Sequence, residues 1–300
     1  MEMTTLGRTG LKVSRLGMGL EEIGHLNLDE INEAGRVLNT ALDKGINFLD
    51  TAACYGNSEE LVGRAVAHRR HEYVLATKCG HVAGRYVGQA WTAKTVRDSI
   101  DRSLTRLQTN YLDVVQLHSC SLDVLEQGEV VQELLKAKEA GKTRFAGYSG
   151  DNEEARWAVE SDLFDTLQTS FNLVDQHART KLFPLIAIRN VGLIAKRPIA
   201  EGAWGAKQSP SAYADQYFQR AQMMATKRAI PEQPDDRILL ALGFTLGHSE
   251  VDTAIVGTRN LAHMLSNIKM VETQLPISMK AMEELHRRFE EVESDWRQLQ

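Results

Sequence analysis

Short apolar runs alternate with stretches of helical periodicity along this chain. The runs are RLGM (15–18), INFL (46–49), YVLAT (73–77), LDVVQL (112–117), RFAGY (144–148), DTLQT (165–169), GLIA (192–195) and TAIV (253–256). Each has the pattern of a strand buried on both faces. Between them, apolar residues recur every three or four positions. Ala34, Val37, Leu38, Ala41 and Leu42 predict one helix face, with Gly45 as its C-cap. Val96, Ile100, Leu104 and Leu107 predict another, opened by Thr92 as N-cap. Val130, Val131, Leu134 and Leu135 follow, closed by Gly141, and Leu261, Met264, Leu265 and Ile268 form a face that Asn260 caps. Repeated β-then-α units without a Pro-, Gly- or Ser-rich linker predict one (β/α)8 TIM barrel over residues 1–300. Such a barrel takes about 250 residues.

Three segments exceed that plan. Residues 3–14 read as a β-hairpin turning at Thr9-Gly10 and covering the barrel floor. Residues 197–233 read as an insertion after the seventh strand, with a helix over 213–227. Met282, Leu285, Phe289 and Val292 predict an extra C-terminal helix. The chain beyond residue 275 is then taken up by that helix, which leaves no long lid over the site. A doubly wound sheet is the alternative fold, but Gly17-Met18-Gly19-Leu20-Glu21-Glu22 lacks the third glycine of its phosphate loop.

Composition narrows the function classes. A net charge of −5 without a basic block argues against a nucleic-acid partner. No apolar run approaches the roughly 20 residues of a membrane helix, and MEMTTLGRTGLKVSR lacks the apolar core of a signal peptide. Three cysteines are too few for a disulfide framework, which predicts a cytoplasmic protein.

Candidate chemistry lies at the strand ends. INFL leads into Asp50, YVLAT into Lys78 and LDVVQL into His118, while Tyr55 sits in the turn DTAACYG. Active sites of this fold lie at the C-terminal ends of the strands. A phenol of pKa about 10 is a reluctant proton donor, and a nearby ammonium favours its ionised form. Lys78 fills that role and Asp50 holds it in place. His118 donates to the same substrate oxygen, polarising a carbonyl that Tyr55 protonates. No side chain supplies hydride, so a nicotinamide cofactor is required. Taken singly, each residue has a bland explanation: a helix cap, a half-buried aromatic, a surface charge, a structural histidine. Together they make a complete acid relay.

NFLDTAACYGNSEELVGRAV (47–66), VLATKCG and LDVVQLHS resemble the aldo-keto reductase signatures, in the same order and spacing. The resemblance implies a (β/α)8 barrel and NADPH-dependent carbonyl reduction without metal. It makes Tyr55 the acid, tuned by Lys78 and Asp50, with His118 orienting the carbonyl. Ser149 and Gln168 match the residues that hold the nicotinamide carboxamide, but Gly150 stands where the family has asparagine. Lys196 falls where an aromatic stacks on the nicotinamide. Lys196 or Arg197 then takes its place, or Arg197 reaches the pyrophosphate. Gly257, Thr258, Arg259 and Asn260 open the last helix, where free N–H groups bind phosphate. The resemblance puts the 2′-phosphate there, read by Arg259, with His263 beside it and Asn267 matching the family's asparagine near adenine. NADPH/NADP+ is therefore expected in preference to NADH, with a small carbonyl substrate and a monomer or weak homo-oligomer.

Glu21, Glu22, His81, Tyr86 and Trp91 are candidates for an open substrate pocket. Cys54, Cys79 and Cys120 all adjoin the constellation. Small size at tight strand ends is the preferred explanation, over redox or metal control. Two other functions fit less well. One is a cofactor-binding regulatory subunit with slow turnover. The other is a Schiff-base enzyme using Lys78, which pairing with Asp50 disfavours.

Overall fold

The computed structural model describes residues 1–225, 228–293 and 295–299. A two-stranded antiparallel hairpin comes first, β1 (Met3–Thr5) and β2 (Lys12–Ser14). Every predicted apolar run then forms a strand: β3 (Leu16–Gly19), β4 (Phe48–Asp50), β5 (Val74–Cys79), β6 (Leu112–His118), β7 (Thr143–Ser149), β8 (Thr166–Ser170), β9 (Gly192–Lys196) and β10 (Thr253–Gly257). These eight pair in parallel and in chain order, with β10 returning to β3 to close the barrel. The chain is a (β/α)8 TIM barrel with an N-terminal hairpin and an added C-terminal helix.

Alternation along each strand divides the molecule. Leu49, Leu75, Val115, Leu117, Leu167 and Leu193 point outward into the main core, under the helices. Phe48, Val74, Ala76, Val114, Ile194 and Ile255 point inward, where Leu6, Leu11 and Val13 of the hairpin pack against them. The hairpin thus seals the floor, as its sequence predicts. Two residues further along, the inward positions turn polar.

The helices follow their predicted faces. Ile31–Asp43 buries Ala34, Val37, Leu38, Ala41 and Leu42, and Gly45 and Gly141 follow their helices with positive φ. Thr92 caps Ala93–Arg106 by accepting from the Thr95 N–H. The Asn260 side chain accepts from the N–H groups of Ala262 and His263 to open Leu261–Thr273. Leu265 lies one residue off the Met264–Ile268 stripe of that helix and is exposed. In the insertion the helix runs Asp215–Ala225, and residues 226–227 of the predicted span lie outside the described residues. The added helix, Met279–Glu290, buries Met282, Leu285 and Phe289.

The tail corrects one expectation. It is not spent on the outer helix but returns to the C-terminal end of β8. Gln298 donates to Thr169 Oγ1 and Ser170 O, and the Leu299 carbonyl accepts from Ser170 Oγ and Arg197. Such contacts span more than a hundred residues, and no local pattern announces them. Among the described residues no helix is long and apolar enough to cross a membrane.

Candidate active site

Asp50, Lys78 and His118 end adjacent strands on the inward side of the barrel. Lys78 Nζ donates to Asp50 Oδ2 at 2.5 Å and to the Thr51 carbonyl at 2.9 Å. The other carboxylate oxygen accepts from Gln116 Nε2 at 3.2 Å and Gln168 Nε2 at 2.8 Å. Asp50 and Lys78 are each 1% exposed, so this ion pair needs every one of those partners. Gln116 is a site residue that sequence reasoning missed. Its signal was present, since it lies two positions before His118 and therefore on the same face of β6.

Tyr55 is placed by a tight turn. Gly56 has φ +48°, and a Cβ there would come within 2.4 Å of the Gly24 carbonyl. Arg106 donates to the Ala53 carbonyl at 3.2 Å and reaches the buried Glu59, which accepts from Thr77 Oγ1 at 2.7 Å. The Tyr55 ring sits 4.8 Å from Lys78 Nζ and 5.6 Å, edge to face, from the His118 ring.

The electrostatic balance differs from the expectation at Tyr55. Burial pushes the phenol up, and Lys78 pulls it down without overcoming that penalty. The phenol therefore keeps its proton at neutral pH. Burial also works against the Lys78 ammonium, but attraction to Asp50 and Tyr55 and the hydrogen bond to Asp50 hold its pKa above the ordinary lysine value. His118 lies well below the ordinary histidine value, first through burial and then through Lys78, His81, Lys196 and Arg197. It is neutral at physiological pH.

Asp50, Tyr55 and His118 line a cleft of about 910 Å³, with Lys78 buried behind Asp50. Ser149 and Gln168 line it, Ser149 Oγ donating to Gln168 Oε1 at 3.1 Å. Lys196, Arg197, Gly257, Thr258, Arg259 and His263 line it as well. Asn267 does not, and is buried further along its helix. Arg259 is exposed and, among the described residues, has no ion-pair or hydrogen-bond partner. A free guanidinium beside a helix N-terminus suits an anion. Glu21 and Glu22 face the cleft as expected, joined by His25 and Glu201. Tyr86 does not face it, because its hydroxyl donates to Asp98 and Arg102 stacks on its ring. Trp91 packs edge-on behind His81, which lies 5.0 Å from the His118 ring.

The match to the model of the aldo/keto reductase family runs over residues 15–287. The chain belongs to this family. It is accordingly an NAD(P)H-dependent oxidoreductase, of a family that reduces carbonyl groups. It is 30% identical over 285 residues to an L-galactose dehydrogenase of Arabidopsis thaliana, covering 90% of this chain and 88% of that protein. It is 28% identical over 230 residues to an NADH-specific methylglyoxal reductase of Escherichia coli, covering 67% of this chain and 68% of that one. Among solved structures, an aldo-keto reductase from Bacillus halodurans superposes with a TM-score of 0.80 at 24% identity, covering 96% of both chains, and shares the fold.

Two departures from the aldo-keto reductase pattern have structural causes. At Gly150, any Cβ would lie 2.6 Å from the Tyr148 ring and hydroxyl. Tyr148 is held there by donating to the Cys120 carbonyl at 2.8 Å, so an asparagine would have to displace it. At the expected aromatic, Lys196 pairs with the buried Asp151 at 2.8 Å. Asp151 in turn accepts from Ser170 N and Thr169 Oγ1. The Arg197 guanidinium stacks 4.9 Å from the Tyr213 ring centroid, and Tyr213 itself lines the cleft. Tyr213 lies far along the insertion and carried no sequence signal. Cys79 and Cys120 lie in the outer core. No cluster of three or more metal-ligating side chains occurs among the described residues.

Proposed function

We propose that this aldo-keto reductase uses NADPH to reduce small aldehydes and ketones to alcohols, with Tyr55 as the general acid. The observation that carries the reading is one cleft lined both by Tyr55, His118 and Asp50, which is paired with the buried Lys78, and by Arg259 beside a helix N-terminus. When bound, the nicotinamide supplies hydride. Ser149 and Gln168 have the hydrogen-bonding groups to hold its carboxamide, and Lys196 and Arg197 line the same cleft. Gly257, Thr258 and Arg259 would hold the 2′-phosphate, with His263 on the adenine side.

The reaction asks each residue for one task. Neutral His118 donates a ring N–H to the substrate oxygen and orients it. Tyr55, still protonated in its buried position, delivers its proton to that oxygen. The phenolate left behind is stabilised by the Lys78 ammonium, and Asp50 with its two amide donors keeps that ammonium charged and aimed. Proton delivery of this kind contributes about 10²–10⁴-fold in rate.

The relatives' names point to sugars and 2-oxoaldehydes as first substrates to test. Reduced-cofactor absorbance is followed with methylglyoxal, aldoses and simple aldehydes, using NADPH and NADH in turn. Tyr55→Phe is expected to lower kcat by about 10²–10⁴-fold with cofactor affinity unchanged. Tight NADPH binding without turnover of any carbonyl would overturn the reading, in favour of a cofactor-sensing subunit.

A further inference from the structure

Of the three thiols, Cys54 is the one that touches His118, and the chemistry above does not use it. Its Sγ lies 3.3 Å from Nδ1 of His118. Among the described residues it is the sole hydrogen-bond partner of that ring. The other groups facing His118 are the Tyr55 edge, the His81 ring and the cations Lys78, Lys196 and Arg197. Among the described residues, none of these is hydrogen-bonded to Nδ1.

A thiol and a neutral imidazole nitrogen share one proton across such a contact. Either S–H donates to the Nδ1 lone pair, or Nδ1–H donates to sulfur. Thiol sulfur is a weak acceptor, whereas an unprotonated imidazole nitrogen is a good one. Cys54 is also partly enclosed, and burial raises its pKa despite the pull of Lys78, so it keeps its proton. The first arrangement is therefore favoured, and it leaves the imidazole proton on Nε2.

We propose that Cys54 is a positioning residue that selects the Nε2–H tautomer of His118 by donating its S–H to Nδ1. The ring nitrogen not held by sulfur is then a donor, which is what a substrate carbonyl needs. In the other tautomer Nε2 would present a lone pair to the carbonyl oxygen and repel it. The proposal rests on the reduction above for its consequence, but the tautomer itself is a property of the enzyme without substrate. It also gives Cys54 a role that Cys79 and Cys120, turned into the outer core, cannot share.

The test replaces Cys54 by residues of known hydrogen-bonding sense. Cys54→Ser keeps a donor, Cys54→Val removes it at similar volume, and Cys54→Asp offers only an acceptor when ionised. Imidazole ¹⁵N chemical shifts of His118 report the tautomer directly, and kcat and KM are measured with one aldehyde. The expected order is a single Nε2–H form in the native enzyme and Cys54→Ser, a mixture in Cys54→Val, and the Nδ1–H form in Cys54→Asp. Turnover should fall several-fold in Cys54→Val and most in Cys54→Asp, with cofactor KM unchanged and near-native kcat in Cys54→Ser. An unaltered tautomer in both Cys54→Val and Cys54→Asp overturns the proposal, as does equal loss of kcat in Cys54→Ser and Cys54→Val. If the native enzyme shows the Nε2–H form but reduces no carbonyl, the tautomer assignment stands and the proposed reaction falls.

Discussion

The two ends of the barrel interior are built on the same strands, two residues apart, and hold opposite chemistry. Phe48 leads to Asp50, Ala76 to Lys78, Val114 to Gln116 and Ile194 to Lys196. At the floor the inward side chains meet Leu6, Leu11 and Val13 and need nothing from one another but volume. At the top they are buried polar groups, each dependent on a named partner. The floor therefore accepts apolar exchanges that conserve volume, because dispersion and burial are shared among many contacts. The top does not, because removing one member leaves another buried and unpaired. One barrel thus combines a replaceable apolar plug with a polar cluster that works as a unit.

The largest effect should come from breaking the ion pair. Lys78→Met leaves the Asp50 carboxylate buried with two amide donors. The expected cost is about 3–5 kcal/mol of stability, together with loss of turnover. Denaturant unfolding and a cofactor-oxidation assay check both. Adding Asp50→Asn to Lys78→Met should restore part of the stability and none of the activity. If the single variant unfolds like the native protein, the top is no more coupled than the floor.

A floor substitution should separate the two properties. Leu6→Ala removes a fully buried side chain that touches no polar group of the site. It should cost about 2–5 kcal/mol, while turnover per folded molecule stays at the native value. A fall in kcat without loss of stability would mean that the hairpin communicates with the top.

Arg259→Ala probes the cleft beside the helix N-terminus. Charge-assisted hydrogen bonds contribute about 1.5–3 kcal/mol. The expected result is a rise in the NADPH KM of roughly tenfold or more, with the NADH KM little changed and stability unaffected. Equal loss with both cofactors would place the 2′-phosphate elsewhere.

The smallest effect concerns pH. His118 is held neutral by burial and neighbouring cations, its folded pKa lying well below the ordinary histidine value. Because that pKa is depressed, the ring stays unprotonated as pH falls through about 6.5. The acid limb of kcat/KM should therefore show no break there. A break near 6.5 that disappears in a His118 variant would show that the ring is solvated rather than enclosed.

How much of this was legible in the sequence follows the range of the interactions. The eight strands could be read because each is a local apolar run. The helices could be read because their apolar positions recur at helical spacing and Thr92 and Asn260 cap the turns that follow them. Asp50, Lys78 and His118 could be placed at strand ends from the runs that precede them, and Tyr55 in the turn after Asp50, and residue type singled them out as candidates. Gln116 was readable from its parity with His118 and went unnoticed, because a glutamine inside a valine-rich run suggests no chemistry by itself.

The sequence by itself determined the barrel, the sealed floor and the placing of the four candidate groups at one end of the barrel, since these depend on periodicity and on neighbours within a few positions. Tertiary structure alone decided the rest. It set Tyr148 against Gly150, the Lys196–Asp151 pair, Tyr213 beside Arg197, and the tail at β8. It also decided the sign of the balance at Tyr55, and which of three cysteines reaches His118. The physical reason is the same in each case. These outcomes turn on distances and desolvation between groups far apart in the chain, and only closure of the barrel brings such groups together.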